Sequence, residues 1–284
     1  MNRQIEAIGL GCRRCGSSWL HGVLNQIPEI GKPLNGLHFF SEGYAKGIDW
    51  YHEHFLNFSA SSLLLEFSVS YLYPEYCENV AKRIYEYNPN VKLFATLREP
   101  TSRAFSDYLR SVRILEIPKK ITFENAVEEY PEFLRRGSYG QLLTPFYKMF
   151  GRKRIHLMFY DDLVADARSF LMNLLNFLAC EGSITEEMLK RKGKTGKMLL
   201  SPTFSGVIFG LKDWLDQTSI RKNVFGEWES FKGKHLGIYK RILALNEKNT
   251  YMKLETSKKL REHYKSDVKR LEGLSGLNLE KWYD

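Results

Sequence analysis

Short apolar runs alternate along the chain with longer stretches in which apolar residues recur every three or four positions. That alternation is expected of strands joined through helices in layers. Four runs predict strands: Ile5–Leu10, Leu63–Phe67, Lys92–Leu97 and Ile155–Phe159. Each is short and mostly apolar, as strands buried on both faces are. Between them the spacing predicts helices over Ser17–Gln26, Pro74–Tyr87, Thr101–Val112 and Gln141–Phe150. Pro74 suits a first helical turn, where a missing N–H leaves nothing unpaired. Ala167, Phe170, Leu171, Leu174, Leu175 and Leu178 mark one face of a further helix, and the tail from Thr203 reads as helical, including Ser257–Leu271. The expected fold is α/β: a single-domain, P-loop-like parallel sheet flanked by helices, with a helical C-terminal region. Sheets of this kind bind ligands beyond the carboxyl ends of their strands, so the residues just after each strand carry the functional argument.

Composition narrows this picture. The 284 residues are 43% hydrophobic, enough for one sizeable core, and no Pro/Gly/Ser-rich linker or repeat divides them, so residues 1–284 read as one domain. The longest apolar stretches are interrupted by charge, so no membrane span is expected. A strand begins almost at the first residue and no signal peptide is visible, from which a cytoplasmic location follows as an expectation. The net charge of +9 admits nucleic acid, a membrane surface or an anionic small molecule as partner. The basic residues are spread out, the densest run being Lys190–Lys197, and neither zinc-finger spacing nor an aromatic RNA-binding signature is present. Cys12 and Cys15 form a C-x-x-C, but no second such pair or H-x-x-x-H follows, so no metal site is expected.

The candidate chemistry lies in two loops. After the first strand, Gly11 and Gly16 stand with four residues between them, the spacing of a loop that turns backbone N–H groups inward below the positive end of a helix. A nucleoside-triphosphate loop would carry lysine after Gly16; Ser17 and Ser18 stand there instead, and the cations come earlier, at Arg13 and Arg14. After the third strand, Arg98 and, eight residues on, Ser106 offer a guanidinium fork and a hydroxyl, a set suited to a phosphate monoester. Phosphate sites after two neighbouring strands imply a nucleotide phosphorylated at both ends.

With these motifs in view, the sequence resembles the sulfotransferases that use 3′-phosphoadenosine-5′-phosphosulfate (PAPS), in their bacterial and carbohydrate-type branches. The first loop resembles the family's 5′-phosphosulfate loop. Arg98, Pro100, Arg103, Ser106 and Tyr108 match its 3′-phosphate motif R-x-P-x-x-R-x-x-S-x-Y, with Arg103 expected to anchor the helix locally. Gly137-Ser138-Tyr139 resembles a later segment that meets the nucleotide, and His38-Phe39-Phe40 resembles the H-F-F segment near the acceptor of glycan sulfotransferases. The tail from Leu260 to Trp282 resembles the terminal helix of bacterial members. Three positions depart from the pattern: Arg14 takes the place of the loop lysine, Gly36 that of a glutamate before the H-F-F histidine, and Phe67 that of a lysine after Glu66.

The resemblance implies transfer of a sulfuryl group from PAPS to a hydroxyl, with an amine second, of a glycan or small-molecule acceptor, without a metal. Arg14, with N–H groups of the loop, would neutralise the departing phosphate. Arg13, Cys15, Gly16, Ser17, Ser18 and Trp19 would surround the 5′ end, and Arg98, Ser106 and Tyr139 the rest of the nucleotide. Lys194, Gly196 and Lys197 would close over the 3′-phosphate. His38 is the expected base, with Glu66 and Glu42 in reserve. Tyr44, Trp50 and Tyr51 are candidates for the acceptor's aromatic wall or for core. Two other classes stay open: a P-loop kinase, which would need magnesium, and a non-catalytic nucleotide- or nucleic-acid-binding protein.

Overall fold

The computed structural model describes residues 3–118, 120–190, 197–199, 247–249 and 252–284. By contact the chain forms two compact units. One comprises Met1–Tyr108, Thr122–Gly193 and Met252–Asp284; the other comprises Leu109–Ile121 and Lys194–Tyr251.

The larger unit is built on a five-stranded sheet of β1 (Ala7–Gly9), β2 (Ile30–Gly31), β3 (Leu63–Phe67), β4 (Lys92–Leu97) and β5 (Ile155–Phe159), in the order β2-β3-β1-β4-β5. Every pair is parallel, with Gly9 level with Phe67 on one side and Phe94 on the other. The described helices are α1 (Ser17–Leu24), α2 (Ile48–Glu53), α3 (Cys77–Tyr87), α4 (Pro100–Arg113), α5 (Phe123–Glu129), α6 (Glu132–Arg135), α7 (Tyr139–Phe150), α8 (Tyr160–Ala165), α9 (Ala167–Leu178), α10 (Glu186–Leu189) and α11 (Leu254–Ser275). Three expected strands, β3, β4 and β5, have the bounds read from the sequence, and β1 is shorter at both ends. The edge strand β2 escaped prediction because two residues carry no periodicity.

The chain runs from β1 outward to β2, returns through β3 to lie beside β1, and then crosses to β4 on β1's other side. The direction of winding therefore reverses at β1, and the loops after β1 and β4 flank the crevice that such a reversal opens. One face of the sheet is covered by α1 and α9. Leu20, Val23 and Leu24 pack there with Phe170, Leu171, Leu174, Leu175 and Leu178, the face read from the apolar spacing. Asp166 caps α9 by accepting from the backbone N–H groups of Arg168 and Ser169.

The terminal helix α11 lies against α7. Asp267 accepts from the N–H groups of Gly140 (2.7 Å) and Gln141 (2.8 Å), satisfying donors at the start of α7 that have no partner within the helix. The backbones approach so closely that a Cβ on Gly140 would lie 2.3 Å from the Asp267 carbonyl oxygen. Trp282, buried beyond α11, packs against Tyr139 and Phe159.

In the smaller unit, β6 (Lys197–Leu199) pairs antiparallel with β7 (Glu247–Asn249). The tail expected to be helical from Thr203 thus contains a strand at β7. Among the described residues, no helix is long and apolar enough to cross a membrane.

Candidate active site

The loop leaving β1 makes its turn with Arg14 at φ 70° and closes on Gly16, whose φ of 89° caps α1 in the left-handed region. A Cβ at Gly16 would also lie 2.7 Å from Leu163 Cδ2, so glycine meets both the conformational and the spatial demand. The first turn of α1 carries no acidic residue, which leaves the positive helix end uncompensated by the helix itself. Ser17 is buried and Ser18 is exposed. Trp19 turns inward and meets Phe170 edge-on at 6.1 Å, as part of the packing between α1 and α9.

The two loops expected to take opposite ends of a nucleotide meet. Arg14 Nε donates to Ser106 Oγ at 3.2 Å, joining the first loop to α4. Arg13 Nε donates to Asp107 Oδ1 at 2.7 Å. Asp107 is fully buried and also faces Arg103 Nη1 (3.0 Å) and Arg136 Nη1 (3.7 Å). Burial alone would raise its pKa, but Arg103, Arg13 and Arg136 outweigh burial and hold the carboxyl below its ordinary value. Arg103 is itself fully buried, pairs with Asp107 one turn on and donates to the Phe133 carbonyl, the local anchoring expected of it. Asp107 was missed in the sequence, though its place four residues after Arg103 on a helix is the signal for such a pair.

Arg98 leaves β4 with its guanidinium 4.7 Å from the centre of the Tyr160 ring. Its carbonyl accepts from the Tyr139 hydroxyl at 3.0 Å, and that hydroxyl lies 3.6 Å from Cys15 Sγ. Tyr139 is fully buried, so its side chain ties the first loop to the exit of β4. Cys12 and Cys15 are buried free thiols. Lys194 and Gly196 lie outside the described residues, and Lys197 opens β6.

A second group of side chains gathers around the segment before α2. His38 adopts φ 53° and is half-buried. Its Nδ1 lies 2.6 Å from Ser70 Oγ, Ser70 Oγ lies 2.6 Å from Ser41 Oγ, and Ser41 Oγ donates to the His38 carbonyl at 3.1 Å. Burial lowers the His38 pKa, with Glu42 opposing. Below it, Glu66 Oε1 accepts from the Leu37 N–H at 3.3 Å and from the Ser68 hydroxyl, and Ser68 Oγ accepts from the His38 N–H at 2.9 Å. Glu66 is buried and its pKa is raised to about 7; burial raises it, against the hydrogen bonds of Ser68, Tyr71 and Leu37 and the charge of Lys32.

Lys32 and His21 complete this group and were not anticipated. Lys32, 4% exposed, donates to His21 Nδ1 and to the Pro33 carbonyl, each at 2.7 Å. Burial brings its pKa down to about 8, with Glu66 opposing. His21 Nε2 donates to the Phe67 carbonyl at 2.7 Å, and its pKa falls to about 4 through burial first and Lys32 second. Lys32 follows the two-residue β2, and His21 sits inside a helix, so neither stands just past a strand that the sequence predicts.

At Gly36, a Cβ would lie 2.8 Å from both the Phe67 carbonyl oxygen and Ser68 Oγ, so no side chain fits where glycan enzymes carry a glutamate. Phe39, Phe40, Tyr44, Arg83, Glu86 and Tyr87 line a cavity of about 360 Å³, with Arg83 4.1 Å above the Tyr44 ring. Trp50 stacks on Phe39 at 6.2 Å, while Tyr51 is fully buried.

The chain belongs to the sulfotransferase family: the family model described as a sulfotransferase domain matches residues 6–273. Among curated relatives, it is 30% identical over 185 residues to mouse heparan sulfate glucosamine 3-O-sulfotransferase 5, covering 61% of this chain and 53% of the relative. It is 25% identical over 189 residues to mouse heparan sulfate glucosamine 3-O-sulfotransferase 3B1, covering 64% and 48%. The chain thus spans about half the length of the curated relatives it matches. The solved structure of a sulfotransferase from Alicyclobacillus acidocaldarius superposes with a TM-score of 0.69 at 19% identity, over 99% of this chain and 100% of that one, and shares its fold.

Proposed function

We propose that the chain transfers the sulfuryl group of PAPS to an acceptor hydroxyl, on a glycan in the first instance and on a small molecule as the alternative. The observation that carries this reading is the Arg14–Ser106 hydrogen bond. It sets the loop expected at the 5′ end beside the helix expected at the 3′ end, so that one nucleotide can reach both. The left-handed, crowded Gly16 turn and the uncompensated start of α1 fit a phosphate group. Relatives named for the 3-O position of a glucosamine unit support a sugar acceptor.

PAPS supplies an activated sulfuryl group. Arg14 and the N–H groups at the start of α1 stand where preorganised donors can counter charge on the departing phosphate. Arginine remains protonated at every working pH, so it contributes charge rather than a proton. Arg98 and Ser106 are the candidates for the 3′-phosphate. His38 takes the acceptor's proton; its lowered pKa keeps the imidazole neutral at pH 7 and able to accept. Glu66 is the less suited base, because it is only 1% exposed and an acceptor cannot reach it.

The test is a titration with adenosine 3′,5′-bisphosphate and with ADP, both without magnesium, followed by thermal shift. Preferential stabilisation by the bisphosphate is the expected result. Equal stabilisation, or none, would remove the paired-phosphate reading.

A further inference from the structure

His38 is held by a circuit of three hydrogen bonds, and one arrangement of protons satisfies all three at once, with the His38 carbonyl also accepting from the Gly43 N–H at 2.9 Å. A carbonyl oxygen only accepts, so the Ser41 hydroxyl spends its one proton on the His38 carbonyl. The 2.6 Å contact between Ser41 and Ser70 must then take its proton from Ser70. Ser70 has no proton left for the imidazole, so the 2.6 Å contact at His38 Nδ1 is made by the ring's own N–H. In that arrangement the neutral ring carries its proton on Nδ1 and its lone pair on Nε2. Both serines are buried, Ser70 at 1% and Ser41 at 6% exposure, so water does not compete for these bonds. Gly36 keeps the other side open: its Cβ, if present, would stand 3.3 Å from Nε2.

The backbone beneath is fixed separately. The His38 N–H is held by Ser68, which is held in turn by Glu66, and the Phe40 N–H donates to the Tyr71 hydroxyl at 3.2 Å. A histidine in the left-handed region pays strain to be there, and bonds on both its backbone and its ring keep it there.

We infer that Ser70, oriented by Ser41, is a positioning residue that sets the tautomer of His38 and so presents Nε2 to the acceptor. This deepens the proposed function and rests on His38 being the base. The logic is that of any general base whose second nitrogen is committed: the hydrogen bond made by one nitrogen decides which atom does the chemistry. His21 supplies an internal contrast. Its Nε2 is the donor, to the Phe67 carbonyl, and its Nδ1 accepts from Lys32, the opposite tautomer in the same protein.

Nitrogen-15 NMR of the histidine-labelled protein above the titration of His38 distinguishes the two tautomers without any substrate. The expected spectrum has His38 protonated at Nδ1 and His21 at Nε2. Ser70→Ala should redistribute the His38 tautomers and lower kcat about tenfold, the scale of one hydrogen bond, with adenosine 3′,5′-bisphosphate affinity retained. Ser70→Thr, which restores a hydroxyl, should recover most of the loss. Ser41→Ala reads the same circuit at its other end, should Ser70→Ala fold poorly. A wild-type His38 protonated at Nε2, or a folded Ser70→Ala with both tautomer and kcat unchanged, would overturn the inference. Failure of the underlying reading looks different: His38→Ala would then keep wild-type turnover, whatever the tautomer.

Discussion

The two halves of the site use charge in opposite ways. Around Asp107, three arginines face one buried carboxylate and hold its pKa below the ordinary value. Around Glu66, burial dominates, and the carboxyl at about 7, the amine at about 8 and the imidazole of His21 at about 4 all move toward neutrality. The first arrangement suits holding a multiply charged nucleotide, which needs a fixed field. The second suits a place where a proton changes hands, since groups near their midpoints respond to small perturbations. Burial is common to both; the number of opposite charges per buried group decides the outcome.

Breaking the fixed half should cost most. Asp107→Ala leaves Arg103 buried without its counter-charge and is expected to destabilise the protein by about 3–5 kcal/mol, read by chemical denaturation. Stability within about 1 kcal/mol of wild type would show that water replaces the carboxylate and that the network is less closed than its distances suggest. Arg14→Ala should weaken binding of adenosine 3′,5′-bisphosphate by about 1.5–3 kcal/mol, the range for hydrogen bonds to charged groups, and should lower kcat as well. If affinity falls while kcat at saturation holds, Arg14 serves binding alone.

The titrating half yields smaller and more graded effects. Glu66→Gln keeps an oxygen to accept from Leu37 and Ser68, so kcat should fall by less than about tenfold, against the 10²–10⁴ that loss of a general base costs. The pH–rate profile should rise from acid as His38 loses its proton, with its midpoint below that of an ordinary imidazole because burial lowers that pKa. Glu66→Gln should leave the midpoint in place; an acid limb that disappears in this variant would make Glu66 the base. The smallest change is expected from Lys32→Met. Lys32 is depressed from 10.5 to about 8, so its contribution to stability is present above 10.5 and lost as pH falls through 8. Denaturation at pH 8 and 9.5 should show stability rising with pH in the wild type and less so in the variant. The His21 resonances of the variant should titrate at higher pH, since a cation that lowered their pKa is gone.

The sequence made the two candidate phosphate loops legible because both sit directly after strands long enough to be recognised, and because Gly11, Gly16, Arg98 and Ser106 are spaced by local geometry. His38 was found through the resemblance of three adjacent residues. What supports His38 was not found, because Ser41, Ser68, Ser70 and Lys32 come from different loops and meet only after β2 and β3 pair. Asp107 lies inside the second motif, between Ser106 and Tyr108, and its surroundings are not local, because Arg13 and Arg136 reach it from other elements.

The contact between α11 and α7 couples distant parts of the chain. Tyr139, at the head of α7, ties the first loop to β4, and α7 is capped by Asp267 and backed by Trp282. The bond from Gly140 to Asp267 spans 127 residues, so a change in α11 reaches the loop after β1 through α7 and Tyr139.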